Sequence, residues 1–293
     1  MIAPGTRIDG AITQVAAAFT AAGIDSARLD ARLLLQAVTG MSHEQVVLEP
    51  GRLLAPHEAT HLSELAARRC AREPIARILG ERSFWGRSFL VTQDTLDPRP
   101  ETETLVELAL GIADQEQWRG RPIRVLDIGT GTGCILLTLL MELGRPATGL
   151  GTDASPAALA VARTNAACLG LDDRASWLLE TGLAALPGRF DLVVSNPPYI
   201  PTAEIAALDP EVRCFDPGLA LDGGADGLDI IREIVSWSAS QPHAWFALEH
   251  GAGQSPAVVG LIEASCGTVV AAQARRMLDL GGHTRCVAWK PQS

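Results

Sequence analysis

Apolar residues recur at three- and four-residue spacing from Thr6 to about Glu73, as in Leu29, Leu33, Leu34 and Val38 and again in Leu62, Leu65 and Ala66. That period predicts an amphipathic, all-helical segment whose stripe of Leu and Ala forms its core. Asp25 and Ser26 read as a helix start, Gly40 as a stop and Pro56 as a first-turn proline, so three to five short helices fit. Between Pro74 and Pro98 the texture changes to Ile75, Ile78, Leu79, Phe84, Trp85, Phe89, Leu90 and Val91, interrupted by Gly80 and Gly86. Aromatics around glycine predict a β-hairpin linker, which could also wall a cleft.

After Arg99-Pro100-Glu101-Thr102-Glu103 a helix is expected to about Gln117, and then two periods alternate. Strands are predicted at 124–128, 148–152, 175–179, 190–195, 244–248, 269–273 and 285–289, with helices at 134–143, 156–169, 228–239 and 256–264 between most of them. This alternation predicts an α/β fold with a seven-stranded, doubly wound and mostly parallel sheet. Only residues 277–283 separate the last two strands, too few for a helical crossover, so those two should pair antiparallel. The expected domains are a helical one at 1–73, the hairpin linker at 74–98 and the α/β domain at 99–293. No internal repeat or low-complexity tract interrupts them.

A length of 293 residues suits two domains of unequal size. No apolar run approaches the ~20 residues of a membrane-spanning helix. The start, with Arg7 and Asp9 among small residues, lacks the order of a signal peptide, so a cytoplasmic protein is expected. Cys70, Cys134, Cys168, Cys214, Cys266 and Cys286 are scattered singly and read as reduced fillers, with no metal site expected. A formal net charge of −10 opposes a polyanionic partner and favours a protein or small-molecule substrate over nucleic acid. Charge alone decides little, since a basic groove can sit on an acidic protein.

The apolar strand Val125-Leu126-Asp127-Ile128 runs into Gly129-Thr130-Gly131-Thr132-Gly133 and then into the helical run Cys134-Ile135-Leu136-Leu137. Glycines suit a turn where the backbone bends sharply and a ligand approaches without a Cβ in the way, with amides at the helix start facing that ligand. Asp153 stands about twenty residues further, at the end of the next strand, where such folds place an acid on ribose hydroxyls. The competing reading makes the glycines a plain strand–helix turn and Asp153 the cap of a helix near Ser155. The dinucleotide fingerprint wants a third glycine or alanine where this chain has Cys134, and the phosphate-loop ending Gly-Lys-Ser/Thr is missing.

The fourth strand of the α/β region ends in Asn196-Pro197-Pro198-Tyr199. Ligands of doubly wound sheets sit beyond the carboxyl ends of the strands, so this segment and the glycine loop should open into one crevice. The side-chain carbonyl of Asn196 and the backbone carbonyl of Pro197 can accept both hydrogens of a planar NH2 group. Tyr199, the only tyrosine, could lie against the acceptor's flat face. Alternatively the two prolines make a rigid turn with Asn as a turn residue.

The order Asp-x-Gly-x-Gly-x-Gly at 127–133 resembles the first motif of class I methyltransferases. Over nearly its whole length the chain resembles the release factor glutamine methyltransferases, which modify the glutamine of the Gly-Gly-Gln loop in peptide chain release factors. The likeness includes the helical amino-terminal domain, Glu73-Pro74-Ile75, Phe84-Trp85-Gly86 and Pro98-Arg99-Pro100-Glu101-Thr102-Glu103. It continues through the glycine loop, Asn196 to Ile200, Glu211-Val212-Arg213 and Leu219-Ala220-Leu221-Asp222-Gly223-Gly224-Ala225-Asp226-Gly227-Leu228. The resemblance implies a methyltransferase sheet using S-adenosyl-L-methionine and a release factor as protein partner, with the helical domain docking it. The enzyme is expected to be a monomer that binds no membrane.

Gly129, Thr130, Gly131, Thr132, Gly133, Asp153 and Asn196 would contact the cofactor, and Asn196, Pro197, Pro198 and Tyr199 would hold the glutamine, with Asn196, Pro197 and Tyr199 as the catalytic group. Arg99 and Glu103 either shape the same pocket or form an ion pair on a helix start. Asn-Pro-Pro-Tyr is shared with enzymes that methylate the adenine amine, so a ribosomal-protein glutamine or DNA adenine is the alternative acceptor, and a non-catalytic cofactor-binding protein the third reading. Two departures from relatives stand out. Thr181-Gly182 occupies the place of an Asp-Trp pair, so adenine would be held differently, and Leu248-Glu249-His250-Gly251 replaces Leu-Glu-Ile-Gly.

Overall fold

The computed structural model describes residues 1–180, 182, 183, 186 and 188–292. The chain forms two compact units, one of residues 1–81 with 209–215 and one of residues 82–208 with 216–293.

The first unit is helical: α1 (Ile8–Ala21), α2 (Ala27–Thr39), α3 (His43–Leu48), α4 (Pro56–Cys70), α5 (Ile75–Leu79) and the later short helix Pro210–Phe215. Ser42 opens α3 with a capping box: its hydroxyl accepts from the Gln45 amide at 3.2 Å while Gln45 Oε1 accepts from the Ser42 amide at 2.8 Å. Pro56 begins α4 as expected. The core is built from Ile8, Phe19, Leu34, Leu35, Leu62 and their neighbours. The buried face of α2 runs through Ala27, Asp30, Ala31, Leu34 and Leu35, so Leu29 faces out, 55% exposed, contrary to the stripe predicted from leucine spacing. An ion pair sets that phase: Arg69, itself buried, donates through Nε to Asp30 Oδ2 at 2.8 Å and through Nη1 and Nη2 to Glu211 Oε1 at 3.0 Å. Turning Asp30 outward would strand a guanidinium in the core.

Residues 75–79, expected in the hairpin linker, form helix α5, and the cut between units falls after Glu81 instead of Glu73. Ile75, Ile78 and Leu79 pack against the helical core, which favours a helical turn over a strand. The hairpin itself is β1 (Glu81–Phe84) and β2 (Arg87–Leu90). Trp85 and Gly86 both have positive φ, 51° and 69°, the turn that matches the twist of paired strands. Trp85 is held there by two bonds, its amide to Glu103 Oε1 at 2.7 Å and its indole to Glu142 Oε1 at 3.2 Å.

In the second unit α6 (Glu103–Gln115) precedes β3 (Arg124–Ile128), α7 (Cys134–Leu143), β4 (Thr148–Asp153), α8 (Pro156–Cys168), β5 (Ala175–Leu179) and β6 (Leu192–Ser195). Counting Pro210–Phe215 as α9, the chain continues with α10 (Asp229–Ser238), β7 (Trp245–Glu249), α11 (Ser255–Cys266), α12 (Thr268–Gln273), β8 (Arg275–Leu278) and β9 (Thr284–Trp289). The seven strands lie in the order β5-β4-β3-β6-β7-β9-β8, parallel except for β9, which runs antiparallel to both β7 and β8. Alternate residues feed two cores. Val125, Val194 and Ala247 pack with α6 and α7, while Leu126, Val193 and Phe246 pack with α10 and α11. Residues 269–273, predicted as a strand, form helix α12, and the edge strand is Arg275–Leu278. As a helix the segment buries Val270 and Ala271 side by side, which a strand would send to opposite faces. Among the described residues no helix is long and apolar enough to cross a membrane.

Candidate active site

β3 ends at Ile128, and the glycine loop turns there into α7. Its shape is fixed from below and from the side. Thr130 donates through its hydroxyl to Asp127 Oδ2 at 2.7 Å and through its amide to the Thr152 carbonyl at 2.8 Å, and the Gly131 amide donates to Asp153 Oδ2 at 2.9 Å. Gly133 takes φ of 80°, and a Cβ there would meet Leu137 Cδ1 at 3.1 Å and Trp177 Cη2 at 3.2 Å, so glycine is required for both conformation and space. Asp127 is fully buried, and burial pushes its carboxyl up to about 7.

Asp153 takes part of the capping reading and part of the ligand reading. Its Oδ1 accepts from the Ser155 amide at 2.9 Å, but Ser155 caps α8, accepting from the Ala158 amide at 3.2 Å. Held by two amides, the Asp153 carboxylate faces a cavity of about 640 Å³ that Asn196 also lines. Of the predicted site residues, Gly129, Thr130, Gly131, Thr132, Asp153, Asn196 and Pro198 line this cavity, while Gly133, Pro197 and Tyr199 are not among its lining.

Across the loop, β6 carries Asn196 to the cavity. Ser195 donates its hydroxyl to the Ile128 carbonyl at 2.7 Å, clamping the tips of β6 and β3 together. The Asn196 amide nitrogen donates to Thr102 Oγ1 at 3.0 Å, and the Tyr199 hydroxyl donates to Glu249 Oε1 at 3.4 Å. The Tyr199 hydroxyl reaches for Glu249, and its partly buried ring packs against the core cluster that includes Phe246 and Val258. Burial raises the Tyr199 hydroxyl above its usual range. Burial likewise pushes Glu249 up to about 7, opposed by the neighbouring Thr102 side chain and the charge of Arg285. The Tyr199 carbonyl accepts from Gln254 Nε2 at 2.9 Å, and Ile200 pairs with Asp222, so a side chain and a backbone bridge brace the segment. Among the described residues the Pro197 carbonyl accepts no hydrogen bond.

Arg99 lines the cavity and donates through Nη2 to Asp216 Oδ2 at 2.6 Å, whereas the Glu103 carboxylate is taken by the Trp85 amide. The two do not pair with each other as one reading supposed. Thr181 lies outside the described residues. Its neighbour Gly182 lines the cavity with Glu180, Leu183 and Glu233, and the amides of Gly182 and Leu183 donate to Glu180 at 3.1 Å and Glu233 at 3.3 Å. Thr102, Glu249 and these acids were not singled out from sequence.

Two family models match the chain: a PrmC N-terminal domain over residues 10–80 and a methyltransferase domain over residues 121–233. In fold, the chain is similar to the hMettl16 catalytic domain, with a TM-score of 0.57 at 18% identity over 78% of this chain and 83% of that one. It is also similar to human methyltransferase 10 domain containing protein, with a TM-score of 0.51 at 18% identity over 70% of this chain and 90% of that one. Strand order, glycine loop and matching domain define a methyltransferase of the class I architecture. Release factor glutamine methyltransferases of Rhodospirillum rubrum and Cereibacter sphaeroides are each 48% identical to it, covering 91% and 92% of this chain and 79% and 92% of their own lengths. The chain belongs to the release factor glutamine methyltransferase family.

Proposed function

We propose that this protein methylates the side-chain amide nitrogen of the glutamine in the Gly-Gly-Gln motif of peptide chain release factors, with S-adenosyl-L-methionine as methyl donor. The observation that carries this reading is the shared cavity: Asn196 at the tip of β6 and Asp153 at the tip of β4 line the same space as Gly129 and Gly131. That space, about 640 Å³, lies in the range of small-molecule sites. The residues suit the donor. Asp153 offers carboxylate lone pairs to ribose hydroxyls while two amides fix its rotamer, and Gly129 and Gly131 leave the approach free of Cβ atoms.

The bound donor supplies an electrophilic methyl on sulfur. A carboxamide nitrogen is a weak nucleophile because its lone pair is delocalised into the carbonyl. Asn196 Oδ1 and the Pro197 carbonyl accept its two hydrogens, hold the NH2 in one plane and concentrate electron density on nitrogen. Neither oxygen is a base of useful strength, so both act by orientation. Pro198 adds an apolar wall to the same cavity. Arg99, ion-paired with Asp216, lines the same cavity.

Incubation with methyl-labelled donor and a purified release factor, followed by fragmentation of the Gly-Gly-Gln peptide, tests the reading. Label on the glutamine side chain is expected, and label confined to ribosomal protein or DNA would replace the acceptor. Asn196→Ala should lower kcat by on the order of 10²–10³ while changing donor affinity less.

A further inference from the structure

Asn165 stands inside α8, a helix otherwise rich in alanine, and is buried at 2% exposure. Asparagine suits a helix interior poorly, because its side chain competes for backbone groups, and a buried carboxamide there needs partners of its own. It has them. Its Oδ1 accepts from the Leu90 amide at 2.7 Å, while its Nδ2 donates to the Leu90 carbonyl at 3.2 Å and to the Thr132 carbonyl at 2.9 Å. These partners leave no choice of orientation, since two backbone carbonyls need the NH2 and a backbone amide needs the oxygen. Toward β2 the carboxamide takes the place of a neighbouring strand, and its remaining hydrogen reaches the glycine loop.

Both ends of this tie lead to the cavity. Thr132 lines it and sits between Gly131 and Gly133, whose φ angles of 54° and 80° mark the most permissive part of the loop. The upstream half of the loop is held by Asp127 and Asp153, whereas the Thr132 carbonyl is held from α8. Leu90 closes β2, and the chain that leaves it runs along the cavity through Gln93, Asp94, Leu96 and Pro98 to Arg99, whose ion pair with Asp216 anchors the far end. Asn165 itself is not among the cavity's lining residues. We propose that Asn165 is a positioning residue that holds the glycine loop and the 93–99 wall in fixed register and so preorganises the cavity for its donor. The inference rests on the reading that this cavity takes S-adenosyl-L-methionine. A loop and a wall already in place have less freedom to lose when a ligand enters, so the tie raises affinity without touching the ligand.

Two substitutions separate the hydrogen bonds from the bulk of the side chain. Asn165→Leu keeps most of the volume and removes all the bonds. Asn165→Asp keeps an oxygen for the Leu90 amide but turns a second oxygen on two carbonyls, and lowering the pH protonates that carboxylate and returns one donor hydrogen. Calorimetry with S-adenosyl-L-methionine at pH 8 should show both variants binding on the order of 10- to 100-fold more weakly than the wild type, with kcat at saturating donor changed less. From pH 8 to pH 6 the deficit of Asn165→Asp, taken against the wild type at the same pH, should narrow several-fold while that of Asn165→Leu stays constant. A residue that only supported the fold would lower the melting midpoint of both variants and show no such difference in affinity. The wild type gives a second readout that needs no folded variant of Asn165. The chain contains two asparagines, Asn165 and Asn196, so ¹⁵N-asparagine labelling with Asn196→Ala for assignment isolates the Asn165 NH2 pair. Both its hydrogens should exchange slowly in the free protein and more slowly still with saturating S-adenosyl-L-methionine. Variants that bind the donor within twofold of the wild type, an Asn165→Asp deficit that ignores pH, or exchange that the donor leaves unchanged each overturn the inference alone. A wild type that binds no S-adenosyl-L-methionine overturns the reading of the cavity along with it.

Discussion

Replacing Gly227 with alanine separates the cost of an awkward backbone angle from the cost of disturbing the Asn-Pro-Pro-Tyr segment. Gly227 has φ of 76°, and a Cβ there would overlap the Tyr199 carbonyl oxygen and stand 2.8 Å from Gln254 Nε2 and 3.1 Å from Pro201 Cδ. Gly86, at φ of 69°, has nothing within 4 Å of a built Cβ. Both substitutions carry the left-handed penalty of about 1–2 kcal/mol. Only Gly227→Ala must also push a backbone carbonyl aside, and that carbonyl is held by Gln254, whose Oε1 is anchored on the Gly251 amide at 2.7 Å. Overpacking adds about 1–3 kcal/mol and the displaced hydrogen bond about 1, giving about 3–6 kcal/mol against about 1–2 for Gly86→Ala. Because the carbonyl belongs to the segment that presents Asn196, a shift approaching an ångström should also lower kcat about a hundredfold. Urea unfolding of the two variants with equal m-values, alongside methyl transfer to a release factor, gives both numbers. Equal stability losses together with an unchanged kcat for Gly227→Ala would refute the bracing argument.

Three further outcomes follow from buried charge and from the loop. Glu249, with its folded pKa raised from an ordinary 4.5 to about 7, contributes stability that is complete below pH 4.5 and lost as pH climbs through 7, on the order of 3 kcal/mol in all. Glu249→Gln should flatten that part of the urea-midpoint profile between pH 5 and 8, and an unchanged slope would contradict the buried-acid reading. Arg69→Met leaves Asp30 buried without its partner and should cost the helical unit about 3–5 kcal/mol, seen as an earlier melting transition; a shift under 1 kcal/mol would make the pair incidental. Asp153→Ala frees the Gly131 and Ser155 amides and should weaken donor binding at least tenfold by calorimetry with a smaller change in kcat at saturation, whereas unaltered affinity removes Asp153 from the donor site.

What could be read from the chain follows the range of the interactions involved. The glycine loop, the sheet strands and Asn196 announce themselves through neighbours a few residues away, and the loop and strand period survive folding nearly unchanged. The misread elements are those decided from far off. Leu29 faces outward because Asp30 meets Arg69 39 residues later, and residues 269–273 coil because a helix buries Val270 and Ala271 together. The partner of the Tyr199 hydroxyl, Glu249, lies 50 residues on and could not be read from the Asn-Pro-Pro-Tyr segment itself. Thr102, 94 residues before Asn196, carries no local signal of its hydrogen bond with that asparagine beyond standing in the Pro100-Glu101-Thr102 turn.

Two carboxyls at strand tips, Asp127 beneath the glycine loop and Glu249 beneath Asn196, each hold a buried oxygen without a partner among the described residues. Such groups are costly, and a core chosen for stability alone would replace them with amides or apolar side chains. Each, however, accepts from a hydroxyl of the site, Asp127 from Thr130 at 2.7 Å and Glu249 from Tyr199 at 3.4 Å. A hydroxyl between a carboxylate and a third group has its direction decided, whereas a hydroxyl among amides does not. The instability of these buried acids and the polarity of the site are thus one property seen from two sides. Substitutions that relieve the burial should therefore stabilise the fold at alkaline pH and slow methyl transfer together.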